Sequence, residues 1–323
     1  MKMKNLCLAL ALGAIGFSAW AQSAGYPNKP VQIIIGFAPG GAADIVARVM
    51  SIELAKALGQ PVVVDNKPGA GSSIAASIVA KSRPDGYTLL IASPSSISVN
   101  PALNPNLGYT PRDLLPITKI TTSPLVLAVN PATGIRSVND LIAAAKKDPG
   151  KLNYSSSGNG SAPHLGAALF TLLTGTQLTH IPYKGGAPAI QSVIAGDTQL
   201  TFGTSPSVLP QAKGGRLLAL AVSTRERSPL VPELPGMKEA GLPEYNLEFW
   251  YGVFAPVGTP PDVMKKVYDA TVTAMKQPSV KEALARDGTE VSLSASPEQF
   301  NSFLAEDSKF WVNLVKSANV KID

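Results

Sequence analysis

The groups best suited to chemistry in this chain are backbone amides. Ala38-Pro39-Gly40-Gly41-Ala42-Ala43 interrupts an apolar run that ends at Phe37, and Asp44 stands where a helix begins. Glycines at such a point leave N–H groups uncovered at the positive end of a helix dipole, a setting that suits an anion. A tight strand-to-helix turn that binds nothing has the same composition, and the segment alone does not separate the two. It is neither a P-loop nor a dinucleotide fingerprint, since no Gly-Lys-Ser/Thr follows and Gly-x-Gly-x-x-Gly is absent. Asp44 reads either as a cap for the helix or as a direct ligand contact.

A second segment repeats the arrangement. Ser157-Gly158-Asn159-Gly160-Ser161-Ala162-Pro163 follows a strand candidate, and His164 lies just inside the helix after it. Ser93, Ser157, Ser161, Thr204 and Ser205 stand on loops at strand ends, where hydroxyls can donate to ligand oxygens. Tyr183 and Lys184 end another strand; the ammonium either adds charge to a cleft or is a solvated surface group. His164 either packs structurally or touches a ligand. With only two histidines, His164 and His180, the chain has no Gly-x-Ser-x-Gly elbow, no His-Glu-x-x-His and no carboxylate–histidine cluster at metal spacing. A secreted α/β hydrolase or transferase therefore lacks its Ser–His–acid set, and no catalytic residue, metal or cofactor is expected.

The elements that must hold these loops follow from hydropathy. Val31, Ile33, Ile34 and Ile35 suit a strand buried on both faces of a parallel sheet. Val46, Met50, Leu54 and Leu58 recur at spacing four, opposite Arg48, Glu53 and Lys56, which predicts an amphipathic helix. Strands are expected at 61–64 and 87–92 and a small-residue helix at 72–81, while Gly69-x-Gly71 is a weak dinucleotide signal because Ile74 replaces the third glycine. Three such units in succession argue for a doubly wound sheet, with ligands outside the carboxyl ends of the strands. Residues 100–116, proline-rich, are read as the way out of a first domain.

A second α/β set follows: strands at 125–129, 152–156, 178–181, 199–202 and 217–222, and helices at 138–147 (capped by Ser137), from Leu165, and at 187–195. Leu165, Leu169, Leu172 and Leu173 place apolar residues on one helix face. Residues 247–255, with Phe249, Trp250 and Tyr251, read as a strand crossing back. Helices at 263–276, 278–286 and 297–316 close the chain; the aromatics of the last, Phe310 included, are read as core.

The start of the chain is a separate signal. Lys2 and Lys4 precede an apolar stretch at 6–17, too short to span a bilayer, and Ala19-Trp20-Ala21 is a cleavage pattern. Export with cleavage near Ala21 and a periplasmic destination are expected. Loss of Lys2 and Lys4 lowers the net charge of +6 by two, and Cys7, the one cysteine, leaves with the leader. That removes disulfides and thiol chemistry from the mature chain. A small positive excess fits small anionic ligands. No arginine–lysine cluster interleaves with aromatics, so nucleic-acid binding is not expected.

Tyr26-Pro27-x-Lys29-Pro30-Val31, residues 37–44, Asn66-Lys67-Pro68-Gly69-Ala70-Gly71, Pro84-Asp85-Gly86-Tyr87-Thr88, residues 154–160, Pro182-Tyr183-Lys184-Gly185, residues 218–222 and Ala255-Pro256-x-Gly258-Thr259-Pro260 stand in this order. The ordered set, spread over the mature chain, resembles the Bug-type extracytoplasmic receptors of tripartite tricarboxylate transporters. The resemblance implies an α/β, two-lobed type II periplasmic-binding-protein fold, each lobe a doubly wound, mainly parallel sheet, with the ligand cleft between them. Lobe 1 is expected at 22–122 and 249–323, and lobe 2 at 123–248. It implies a monomeric receptor that captures a mono-, di- or tricarboxylate and delivers it to one large and one small integral-membrane subunit. A receptor feeding a two-component sensor kinase shares the same binding chemistry.

The resemblance also implies that a ligand carboxylate is held by the loops at 37–44 and 157–161, partly through ordered water. The expected contacts are Phe37, Pro39, Gly40, Gly41, Ala42, Asp44, Ser93, Ser157, Gly158, Asn159, Gly160, Ser161, His164, Tyr183, Lys184, Thr204 and Ser205. Where family members often carry an acidic residue or Asn after the strand at 200–202, this chain has Gly203-Thr204-Ser205, a departure that marks a specificity position.

Overall fold

The computed structural model describes residues 25–104 and 106–320; the expected leader lies outside them. The first βα units are β1 (Val31–Ile35), α1 (Ala42–Leu58), β2 (Val62–Asn66), α2 (Ser73–Ala80), β3 (Thr88–Ala92) and the short α3 (Asn100–Leu103). Then come β4 (Leu114–Val129), α4 (Val138–Lys147), β5 (Asn153–Ser156), α5 (Ala162–Thr174), β6 (Thr179–Pro182), α6 (Gly186–Ala195), β7 (Leu200–Thr204), α7 (Ser205–Lys213) and β8 (Leu218–Val222). The chain closes with β9 (Glu248–Pro256), α8 (Pro261–Met275), α9 (Pro278–Ala285), β10 (Glu290–Val291) and α10 (Pro297–Ser317).

The strands run in the order β2-β1-β3-β9-β4-β7-β5-β6, with β8 and β10 also on β4. Each end is a parallel trio, β2-β1-β3 and β6-β5-β7, bounded by an antiparallel strand, β9 in one case and β4 in the other. The same arrangement has therefore been built twice, which makes the fold two-lobed. In both trios the strands point their carboxyl ends at the junction. Residues Val31, Ile33 and Ile35 are fully buried, as a strand covered on both faces requires. Val46, Met50 and Leu54 of α1 are fully buried too, so its apolar stripe faces the sheet as its spacing predicts.

Several expectations need correction. The strand read at 125–129 is the end of β4, a single strand of 16 residues that pairs β9 along its first part and β7 and β8 along its last. Residues 100–116 thus lead into a strand common to both halves, after the single turn of α3. Helix α7, not read from the sequence, starts directly at Ser205. Leu172 and Leu173 are 45% and 37% exposed, because only the first half of α5 lies on the sheet, and Phe310 is 44% exposed. The rest of the α10 face is core: Phe300 and Trp311 are buried, and the Trp250 indole N–H donates to Asp307 Oδ2 at 2.9 Å. Ser137 does cap α4, accepting the Asp140 N–H.

Candidate functional site

Four helices begin at the junction of the halves. The first residues of α1 (Gly41, Ala42, Ala43), α5 (Ala162, Pro163), α6 (Gly186) and α7 (Thr204, Ser207) line one narrow cavity. Its remaining wall is Phe37 at the end of β1, Ser157, Ala189, Ile190, Thr201, Gly203, and Phe249 and Tyr251 from β9. The lining holds no acidic or basic side chain. Tyr251 is its one titratable group, and burial raises the pKa of that phenol, so it is a neutral hydroxyl. What the walls offer is therefore apolar surface, a few hydroxyls and the first turns of four helices.

Five of the expected contacts, Phe37, Gly41, Ala42, Ser157 and Thr204, line this cavity. Gly158, Asn159, Tyr183 and Lys184 line a neighbouring cleft with Ser157, Gly69, Ala70 and Gly71. Lys184 is exposed, and its structural contact is through the backbone: its carbonyl accepts the Ala38 N–H at 3.2 Å, one bond between the two halves. Pro39 and Gly40 are exposed on the outside of the first loop. Ser205 Oγ donates to the Pro124 carbonyl at 2.7 Å and is thereby engaged with β4. The Ser93 hydroxyl is buried without a hydrogen bond among the described residues and lies outside the cavity lining.

Asp44 is not the cap residue of α1; that position is Gly41. From the first turn its carboxylate reaches back to the Gly40 N–H at 3.0 Å and also accepts from Asn66 Nδ2 and Arg48 Nε. Burial pushes its pKa up, but those hydrogen bonds and the Arg48 charge outweigh it and hold the carboxyl below the usual range. It braces the glycine loop from behind and does not face the cavity.

The second loop is braced by a neutral ring. His164 Nδ1 accepts the Gly160 N–H at 3.1 Å, and the ring stacks on His180 with centroids 3.9 Å apart. His180 in turn stacks on Tyr154 and bonds to Ser156 Oγ. Burial and the neighbouring His180 push the His164 pKa down to about 3. A proton would have to displace the Gly160 donor, so His164 positions the loop as a neutral side chain. Its folded pKa lies below the unfolded value, so its contribution is present above about pH 6.5 and is lost as pH falls toward 3. Denaturation across that window should show stability falling by on the order of 4 kcal/mol more in the native protein than in His164→Asn, which keeps an acceptor but does not titrate. Equal slopes for the two proteins would overturn this role.

The two halves meet through glycines. A Cβ on Gly71 (φ +56°) would overlap the Asn159 carbonyl, and one on Gly160 (φ +68°) would overlap Asn100 Oδ1. Asn100 is itself pinned, its Nδ2 donating to the Ala70 and Gly71 carbonyls and to Ser73 Oγ. The glycine pair read from sequence as a weak dinucleotide signal is therefore a packing surface for the opposite loop.

A chain with this junction matches, over residues 46–320, the family described as "Tripartite tricarboxylate transporter family receptor". The chain belongs to that family. The receptor is 36% identical over 317 residues to BugT of Bordetella pertussis, covering 98% of this chain and 97% of BugT. An R. palustris protein solved with adipate superposes at a TM-score of 0.89 with 33% identity, over 92% of this chain and 99% of that one. MatC of Rhodopseudomonas palustris, solved with bound malate, gives 0.85 and 30%, over 90% of this receptor and all of that chain. The fold is thus the two-lobed type II periplasmic-binding-protein fold that the motif order implied.

Sequence reasoning missed much of the receptor's cavity wall. Phe249 and Tyr251 were read only as a strand, and Ala189, Ile190 and Ser207 had no motif to mark them. Gly186 stood beside a marked motif, and Gly203 belonged to the marked Gly203-Thr204-Ser205 without being expected as a contact. Asn100 carried no signal at all; its importance comes from which loops it touches.

Proposed function

We propose that this receptor captures a small carboxylate in the junction cavity and hands it to a membrane transporter, and that it binds without turning its ligand over. The observation that carries the reading is the cavity itself: helix first turns and hydroxyls ring it, and no charged side chain enters. Relatives solved with adipate and malate support the ligand class. On this reading the loops at 37–44 and 157–161 hold the carboxylate, partly through water. Residues 22–122 with 249–323 act as one lobe and 123–248 as the other. The partners are one large and one small integral-membrane subunit, the receptor works as a monomer, and export with cleavage near Ala21 delivers it to the periplasm.

A ligand that binds only the native state adds about 2.7 kcal/mol at a hundredfold excess over its Kd. A panel of mono-, di- and tricarboxylates should therefore contain members that raise the Tm, and those members should compact the protein in small-angle scattering. Stabilisation by sugars or amines, with none by any carboxylate, would refute the ligand class.

A further inference from the structure

We propose that Asp307 makes the opening of this receptor acid-dependent: its charge holds the two lobes closed over the cavity at neutral pH, and a proton on it lets them part; this rests on the lobe division proposed above. The strands that cross between the lobes, β4 and β9, pair side by side where they cross, with Thr122 opposite Trp250 and Ser123 opposite Phe249. Successive side chains of a strand point to opposite faces. Phe249 and Tyr251 face the junction cavity, so Glu248 and Trp250 face away from it, into a second pocket behind the crossing. Both lobes wall that rear pocket: Asn246 and Leu247 belong to one, and Phe303, Asp307 and Phe310 of α10 to the other. Helix α10 packs on β4 and also reaches α5, so it lies across the two lobes. A rotation about the crossing that opens the cavity in front therefore narrows the pocket behind.

Asp307 is half-buried there, with Oδ2 accepting the Trp250 indole N–H. Three charged groups surround it. Lys119 from β4 stands over the Phe303 ring, 4.7 Å from its centroid, and Glu248 from β9 and Glu290 from β10 act with Asp307 on that ammonium. On α10 itself, Glu306 is exposed and paired with Lys309. Arg225 and Arg227 line the next stretch of the rear groove and pair with Glu226 and Glu239. The Trp250 and Trp311 indoles and the Lys119 charge favour the carboxylate form, but burial outweighs them and pushes the Asp307 pKa up to about 6. Narrowing the pocket strips more water from this group, and lost water penalises the charged form alone. Opening is thus harder while Asp307 is charged, and a proton shifts the population toward the open form. The same sign holds for the fold. Its folded pKa lies above the usual carboxylate range, so the proton's contribution to stability is full below that range and is lost as pH rises through about 6.

The chain from Gln22 onward contains two tryptophans, Trp250 and Trp311, and both line the rear pocket with Asp307. Their indole N–H resonances therefore report its protonation without a label. In the native protein they should shift with a midpoint near pH 6, and in Asp307→Asn the shift should be lost. Small-angle scattering of the unliganded native protein should show the radius of gyration rising from pH 7.5 to pH 5 with that same midpoint. Asp307→Asn keeps an acceptor for Trp250 and carries no charge, so it should have the larger radius at both pH values. It should also resist urea at pH 7.5 at least as well as the native protein, which a mere brace would not. Native dimensions that do not change with pH would overturn the device, as would an Asp307→Asn protein that expands on acidification as the native one does. An Asp307→Asn protein less stable than the native at pH 7.5 would make Asp307 a brace and overturn it too. All of these are read without ligand, so the carboxylate panel above stands or falls separately.

Discussion

Gly160→Ala and Gly71→Ala should each reduce carboxylate binding at least a hundredfold while the unliganded protein keeps its native spectrum and scattering profile. The cause is steric and acts across the junction. A Cβ on Gly160 overlaps Asn100 Oδ1, and Asn100 is held by three hydrogen bonds, so it cannot swing aside. A Cβ on Gly71 meets the Asn159 backbone carbonyl, which has even less freedom. The loops must part to admit a methyl group, and parting them opens the cavity whose walls come from both sides. Gly40→Ala is the control. Gly40 has a comparable φ of +77°, but the nearest atom to its Cβ would be Ala187 Cβ at 3.7 Å. Its cost is dihedral only, on the order of 1–2 kcal/mol, and its affinity should fall about tenfold. Calorimetry showing Gly160→Ala no weaker than Gly40→Ala would mean that closure does not depend on these contacts.

Asp44→Ala should be the most damaging single change near the first loop, lowering stability by roughly 2–4 kcal/mol and weakening binding as well. Three donors, the Gly40 N–H, Asn66 Nδ2 and Arg48 Nε, lose their acceptor, and hydrogen bonds to a charged group contribute more than neutral ones. Asp44→Asn should cost less, since one amide oxygen still accepts. Because the Asp44 pKa is held below its usual value, its contribution is present at neutral pH and is lost as pH falls through that lowered value. The acid limb of a stability profile should therefore be shallower in Asp44→Asn than in the native protein. Urea denaturation at neutral pH showing Asp44→Ala within 0.5 kcal/mol, roughly the scatter of surface substitutions, would refute the bracing role.

What could be read from the sequence was local. Strand, glycine loop and helix announce themselves within about 28 residues, and the α1 stripe of Val46, Met50 and Leu54 needs no tertiary information. The cap at Ser137 is equally local. The family resemblance supplied the lobes, because an ordered set of loop motifs carries topology that periodicity does not. What escaped was set by distant partners. The first part of β4 was missed because Pro116, Pro124 and the polar residues Thr118, Lys119, Thr121, Thr122 and Ser123 interrupt its apolar pattern, yet β9 pairs beside it and supplies the hydrogen bonds that hold it extended. Helix α7 was hidden by Pro206, which suits a first turn, and by Pro210 inside it. Leu172 and Leu173 show the opposite limit: α5 keeps its apolar spacing beyond the point where the sheet lies under it.

The pairing of β9 has a consequence for how the chain reaches this structure. β9 lies between β3 and β4, so the sheet that contains β1 stays incomplete until residues 248–256 arrive, some 160 positions after β3. The β5–β8 segment, by contrast, is contiguous and meets its own partner strand, the end of β4, within about 90 residues. Pairings of high sequence separation form slowly, since loop closure must precede the contacts that reward it. Synthesis from the first residue therefore produces a chain whose middle segment, from the end of β4 to β8, can condense first, while β3 waits with an unpaired edge. Kinetically, such a chain keeps its first parallel trio without its antiparallel neighbour until residues 248–256 are made.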